Sequence, residues 1–548
     1  MRILSVIRMK SLPWVTGYFT RFNRFWLLPQ RKIKMIPRTA FTTVVVLALC
    51  LPAAGQAQLA QVRSHIHQYR EAHAVPTIEL LREFMELPNV SADQADVRRN
   101  AEFLVDQFSR RGAQMELLEV PGGNPVVYGE IDHPQAERTV LIYAHYDGQP
   151  VNPGRWQTTQ PFVPALYSKS ILAGGSQIPW PQAGEAIDPE WRIYGRSASD
   201  DKAPFVALLT ALDALASGDI ELTSNIKFFF DGEEEIGSPN MERVLSQHRD
   251  KFADVDLWVF CDGPLHQSGQ PTLYYGVRGI TALEVTLFGA NRNLHSGHYG
   301  NWAPNPGMQL AQLLASMKDD HGNVLVDGFY DDVLPLSEAE QQSLNAIPAI
   351  DDQLRKELGL LETENDNAAY LQRMQLPSFN VRGLECATVG RTARNVVPNT
   401  ATASIDIRLV KGNHPERMLR LVEQHIERQG YFITRQPPTA AERQQHARIA
   451  MVTRKIGYPA ARTAMDHPAV QPLVESLTGM IDKEQQLLQI PGLGGSLPLY
   501  LITEGEQKPL VILPLANYDN NQHAPDENLR LGNFWYGIDA MTAILAMP

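Results

Sequence analysis

Four short apolar runs constrain this chain more than anything else in its sequence. Thr139–Ala144, Asn225–Asp231, Leu257–Cys261 and Leu510–Leu515 carry bulky apolar residues at successive positions rather than at alternate ones. Runs of that length are too short for ordinary helices and read as strands buried on both faces, the pattern of a helix-covered parallel sheet. Helical spacing appears between and around them. It covers Val62–Leu87 with a break near Pro76, then Asp96–Arg111, Pro204–Ser217, Val470–Ile481 and a last helix from Leu531. Met115–Leu118 and Val126–Glu130 read as further short strands. The expected class is α/β, a mainly parallel mixed sheet flanked by helices.

The middle of the chain follows a different rule. Thr281–Phe288 and Ala401–Val410 alternate apolar and polar residues, with helical patterns at Met308–Met317 and Pro415–Gln429. Half-buried strands with helices on one side predict a smaller α+β domain inserted into the first. Gln436–Arg448 is polar and contains proline, so it reads as the return linker. The expected division is 58–276 and 451–548 for the main domain and 277–450 for the insertion. Pro153–Pro189, rich in Pro, Gly, Ser and Gln, reads as a long surface excursion on the cleft rim.

The first 57 residues stand apart. The whole chain of 548 residues has 49 Lys and Arg, 61 Asp and Glu, and a formal net charge of −12. Residues 1–57 contribute basic residues and no Asp or Glu. A basic flank (Arg31, Lys32, Lys34, Arg38) leads into an apolar run from Thr42 to Ala54 and a small-residue end at Ala57. That order is the one found in a secretory signal peptide, and it predicts export to a periplasmic or extracellular space. Residues 1–34 read as a mis-assigned extension ahead of a more natural start at Met35. The run is short for a membrane span, so no membrane attachment is expected after cleavage, with an uncleaved anchor as the rival. Three cysteines support no disulfide framework. The acidic balance argues against a nucleic-acid partner.

Chemistry is concentrated where the buried strands end, which in doubly wound sheets is where ligands bind. The first run stops at Ala144-His145-Tyr146-Asp147. His145 and Asp147 are two apart, so on an extended chain they face the same way, and a carboxylate can orient a ligating imidazole. Asp200 and Asp201 stand before a helical stretch, where they would either cap it or send one of the two into a cleft to bridge two metals. Asp231-Gly-Glu233-Glu234-Glu235 follows the second run. Three adjacent carboxylates repel one another unless solvated or sharing a cation. Asp262 ends the third run, and His523 lies in a late loop. Mixed imidazole and carboxylate ligation suits zinc, with cobalt or manganese as substitutes.

In order, Ala-His-Tyr-Asp, Gly-Arg-Ser-Ala-Ser-Asp-Asp-Lys, Glu-Glu-Ile-Gly-Ser, Cys-Asp-Gly, Leu-His-Ser-Gly and the late His resemble the co-catalytic di-zinc peptidases. That family includes carnosinase-type dipeptidases, glutamate carboxypeptidase, aminoacylase, acetylornithine deacetylase and succinyl-diaminopimelate desuccinylase. The resemblance implies two zinc ions per subunit. His145 and Asp262 would hold one and Glu235 and His523 the other, with Asp200 bridging. It implies Glu234 as general base, with Glu233 competing for the register, and Asp147 as the partner of His145. It also implies a cis peptide between Asp200 and Asp201. The inserted domain would be a lid and dimerisation surface, with His295 reaching the site of a partner copy in a homodimer. Asn395, Arg408 and Ser496 match substrate-binding positions, the Arg holding a carboxylate. The separation of His145 and Asp200, 55 positions that take in 153–189, departs from the family's pattern.

The implied activity is hydrolysis of dipeptides or short peptides with a free C-terminus, Glu234 taking a proton from water and passing it to the leaving amine. One rival is an N-acyl amino acid deacylase with the same metals. Another is an exported metal-binding protein without catalysis, against which the intact Glu234 argues. No Gly-x-Ser-x-Gly supports a serine hydrolase.

Overall fold

Thr139–His145 runs through the middle of an eight-stranded sheet, and every one of its seven residues is buried. The computed structural model describes the backbone from residue 38 to residue 548 and the side chains from residue 59. The reading of residues 1–57 as a signal peptide therefore lies largely outside the described residues. From Arg38 onward the backbone is part of a helix that runs to Met85. His73 leaves helical geometry within it. That break falls just before Pro76, which lacks an N–H and crowds the carbonyl of the preceding turn.

The sheet runs in the order Gln114–Leu118, Val126–Ile131, Asn225–Asp231, Thr139–His145, Leu257–Phe260, Leu510–Ile512, Thr272–Tyr274, Leu488–Ile490. The four central strands are parallel, the first two antiparallel. Because they are parallel, the carboxyl ends of three of them, at His145, Asp231 and Phe260, emerge on one edge. Helices Lys202–Ser217 and Leu531–Leu545 pack on one face, burying Phe205, Leu208, Phe534 and Ile538 against Ile142, Phe228 and Phe230. The other face buries Tyr143, Phe229, Trp258 and Phe260. Phe228, Phe229 and Phe230 thus serve both cores in alternation, which is why that run has no polar side.

The inserted domain is a five-stranded sheet with its own core. Gly279–Phe288 pairs antiparallel with Thr400–Leu409 on one side and with Ile449–Tyr458 on the other. Ser378–Glu385 and Phe432–Thr434 form the edges. Helices Pro306–Met317 and Pro415–Arg428 cover one face through Leu310, Leu313, Met418 and Val422. The return to the main domain follows Tyr458, not residue 450, because Ile449–Tyr458 belongs to the inserted sheet. The segment read as a linker carries a short helix, Ala440–Gln445, opened by a Thr439–Glu442 capping box. Outgoing and returning chains touch where Ala461–Arg462 pairs with Gly276–Val277. A Cβ on Gly276 would lie 2.0 Å from the Ala461 carbonyl oxygen, so only glycine permits this crossing.

The 153–189 excursion is more ordered than its composition predicts. Its strand Ala165–Tyr167 pairs with Arg192–Tyr194, which pairs with Asn528–Arg530. Asp526 Oδ1 accepts from the Gln157 and Thr158 N–H groups and the Thr158 hydroxyl, each at 2.8 Å. The excursion is pinned to the loop behind His523. None of its residues lines the cavity beside Asp200, so it does not form the cleft rim there.

Candidate active site

The edge where the parallel strands end gathers side chains from five separate stretches of chain. His145 closes its strand fully buried. Its Nδ1 lies 3.4 Å from Asp147 Oδ1, and its Nε2 lies 2.9 Å from Asp200 Oδ1. The other oxygen of Asp200 lies 3.1 Å from His523 Nε2, which is also 3.2 Å from Glu235 Oε2. One carboxylate thus stands between two imidazoles. Glu234 Oε2 and Asp262 Oδ2 complete the group at 3.9 and 4.0 Å from His145 Nε2. The Asp200–Asp201 peptide is cis.

Two clusters within this group have ligating geometry, His145 with Asp200 and Glu235, and His145 with Asp201 and Asp262. Asp201 was not among the residues expected to act here. Its Oδ2 accepts from the His145 backbone N–H at 3.2 Å, and its Oδ1 is buried with no partner. Among the described residues, Asp200, Glu234, Glu235 and Asp262 have no Lys or Arg counter-charge. Buried carboxylates without cationic partners are costly unless they bind metal or take up protons, so the donor set fits divalent cations. The electrostatics agree. Burial, with the charges of Asp262 and Glu235, pushes Glu234 well above the usual carboxylate range. Burial brings Asp262 up to about 6. Hydrogen bonding to Asp200 and Glu235 lifts His523 to about 10.

The three consecutive Glu side chains differ in what they touch. Glu233 is committed elsewhere: Oε1 accepts from the Asn124 N–H at 3.0 Å and Oε2 from Asn240 Nδ2 at 2.8 Å. Glu234 and Glu235 face the cluster. Asp147 does more than orient His145. Its two oxygens accept the Glu234 and Glu235 N–H groups at 3.2 Å, and Ser91 Oγ donates to it at 2.7 Å.

Sequence reasoning passed over the group that holds the Asp200 loop. Glu527 is fully buried and accepts from Arg196 Nη1 (2.7 Å), the Ser197 N–H (3.0 Å) and three donors of Ser199 and Asp200 (3.1 Å each). Its only sequence signal is position, four residues after His523. Ser197 and His523 both adopt positive φ, 62° and 59°. These non-glycine residues are strained where the site is assembled.

A cavity of about 460 Å³ opens beside Asp200, Glu234, Asp262 and His523 and extends along Gly494, Gly495 and Ser496. Ser496 Oγ accepts from Arg408 Nη1 at 2.7 Å, and the Tyr458 hydroxyl donates to the Ser496 carbonyl at 2.7 Å. Arg408 and Ser496 therefore stand together at the cleft, one on the inserted domain and one on the main domain. His295 and Asn395 do not line this cavity. They are exposed and adjacent to each other, the Ser296 N–H donating to the Asn395 carbonyl at 3.0 Å.

The sequence model of Peptidase family M20/M25/M40 matches residues 141–547. A Cys-Gly metallodipeptidase of Schizosaccharomyces pombe is 26% identical over 472 residues, covering 83% of this chain and 91% of that protein. The human Beta-Ala-His dipeptidase is 24% identical over 499 residues, covering 87% and 91%. Among solved structures, the M20 family metallo-carboxypeptidase Sso-CP2 of Sulfolobus solfataricus superposes with a TM-score of 0.68 at 28% identity. That match covers 86% of this chain and 98% of the other.

Proposed function

This chain belongs to peptidase family M20/M25/M40, and from that membership and its cleft we propose that it is a metal-dependent dipeptidase. The observation that carries the reading is Asp200 held between His145 and His523, at 2.9 and 3.1 Å, with Glu234 beside them. His145, Asp200, Glu235, Asp262 and His523 would hold a pair of divalent cations, zinc fitting the mixed donor set, with Asp201 supporting His145 from behind. Bound there, such ions polarise a carbonyl and make water acidic near neutral pH.

The chain's own residues do the rest. Glu234 accepts the proton of the attacking water and returns it to the departing amine. Asp147 fixes the His145 ring and, through the two N–H bonds, the backbone that aims Glu234. Arg408, oriented by Ser496, binds the substrate's terminal carboxylate through its planar fork. His295 and Asn395, paired on the surface of the inserted domain, would complete the site of a second copy. That arrangement supports a homodimer. The family's dipeptidase relatives favour peptide bonds over N-acyl amino acids as substrates. The basic-then-apolar order of residues 1–57 supports export of the enzyme.

Replacing Glu234 by Gln tests this directly. Hydrolysis across a dipeptide panel should fall at least about 100-fold, the usual share of a general base, while bound metal stays at the wild-type level. Undiminished hydrolysis would remove Glu234 from the reaction. Faster turnover of N-acetyl amino acids than of dipeptides would replace the substrate class.

A further inference from the structure

A second cavity, of about 410 Å³, lies within the inserted domain on the far side of Tyr370 and Met374, which line both cavities. Val324, Leu354 and Phe379 give its walls an apolar and aromatic stretch, Lys318, Asp351, Arg355, Glu364 and Arg373 line it as well, and Leu358 and Leu360 stand exposed at its margin. Arg278 lines it too and is only 9% exposed. No carboxylate pairs with that guanidinium among the described residues. Its Nη2 donates to the Leu376 carbonyl at 2.6 Å, its Nη1 reaches only the Met374 sulfur at 3.8 Å, and its Nε has no partner. Arg408 adds like charge to it, which Asp406 opposes. Asp406 is engaged by Asn380 and lies 3.7 Å from Arg408.

A buried cation short of acceptors is costly, and here it stands at the side of an apolar chamber. The size is that of a small-molecule site, with apolar surface for a ligand's body and a buried guanidinium to fix its orientation. We infer that this chamber binds a carboxylate with an apolar body, its head on the Arg278 fork and its chain or ring along Val324, Leu354 and Phe379. A carboxylate satisfies the guanidinium with parallel charge-assisted bonds, and its apolar body can lie along Val324, Leu354 and Phe379, surface that a bare phosphate would leave unused. The chamber is separate from the cleft, so such a ligand does not need the metal site.

The test uses the metal-loaded full chain with sodium decanoate as the probe. Isothermal calorimetry on the wild type should show one saturable site. Leu354→Trp, which fills the chamber, should weaken binding at least tenfold while dipeptide hydrolysis is retained. Arg278→Met should do the same, and Arg278→Lys should recover part of the loss. If the Arg278 variants do not fold, Leu354→Trp alone decides. Absence of saturable binding, wild-type affinity in Leu354→Trp, or inhibition purely competitive with dipeptide would each overturn the inference. Binding is read without turnover, so its failure is distinct from failure of the peptidase reading.

Discussion

Substituting Glu527 by Gln is the most informative perturbation of how the site is built. The Glu527 carboxylate accepts five hydrogen bonds at 2.7 to 3.1 Å, all from residues 196–200. Gln keeps the shape but turns one acceptor oxygen into a donor. Whichever way the amide faces, at least two buried donors lose their acceptor, at about 1–3 kcal/mol each. Arg196, 3% exposed, also loses its counter-ion. Breaking a buried pair from one side typically costs about 3–5 kcal/mol, which falls within the same total. With an unfolding entropy near 2.1 cal/mol/K per residue, about 490 folded residues give roughly 1 kcal/mol/K, so the midpoint should drop by about 3–5 °C. Because the Asp200 N–H is one of the five donors, metal affinity should fall as well, by about 10–100-fold as for other groups that orient ligands. Scanning calorimetry and a zinc titration of the same variant read the two effects. A variant with wild-type midpoint and wild-type zinc affinity would refute the argument that Glu527 holds the Asp200 loop.

Arg408→Met should raise KM for dipeptides by about 10- to 100-fold, the loss of hydrogen bonds to a charged group. Steady-state kinetics should show little change for substrates amidated at the C-terminus. In the inserted domain, burial alone would raise Glu423, but Arg454 and Arg435 hold it at about 2. Its folded value lies below the unfolded value of about 4.3. The stabilisation is therefore complete above about 4.3 and is lost as pH falls toward 2. Melting curves should show Glu423→Gln less stable than wild type at pH 6, with the gap closing between pH 4 and 2.

Much of this molecule is legible in its sequence because burial and chemistry coincide there. The central strands are apolar on both faces, so the limits of three of the four could be read to within a residue, and Thr139–His145 ends on a residue of the cluster. What escaped has a physical reason. Thr272–Tyr274 and Leu488–Ile490 are three-residue strands, too short to establish any period. Ile449–Tyr458 exposes Lys455 and Ile456 in its second half, which breaks the alternation, so its sequence does not read as a strand and the expected domain boundary falls inside it. Glu527 and Asp201 were hidden because a carboxylate that organises a loop has the same sequence appearance as one that is solvated. Only their partners distinguish them. Glu233 shows the reverse: three consecutive carboxylates look equivalent until Asn124 and Asn240 claim the first.

The account rests on a cleft that holds two cations, with Asp200 between the two imidazoles. Counting metal ions per chain by mass spectrometry, in the wild type and in Asp200→Ala, tests it most directly. Two equivalents in the wild type and fewer than one in the variant are predicted. A wild-type chain that holds no ion after zinc loading, or an Asp200→Ala chain that keeps both, would contradict it.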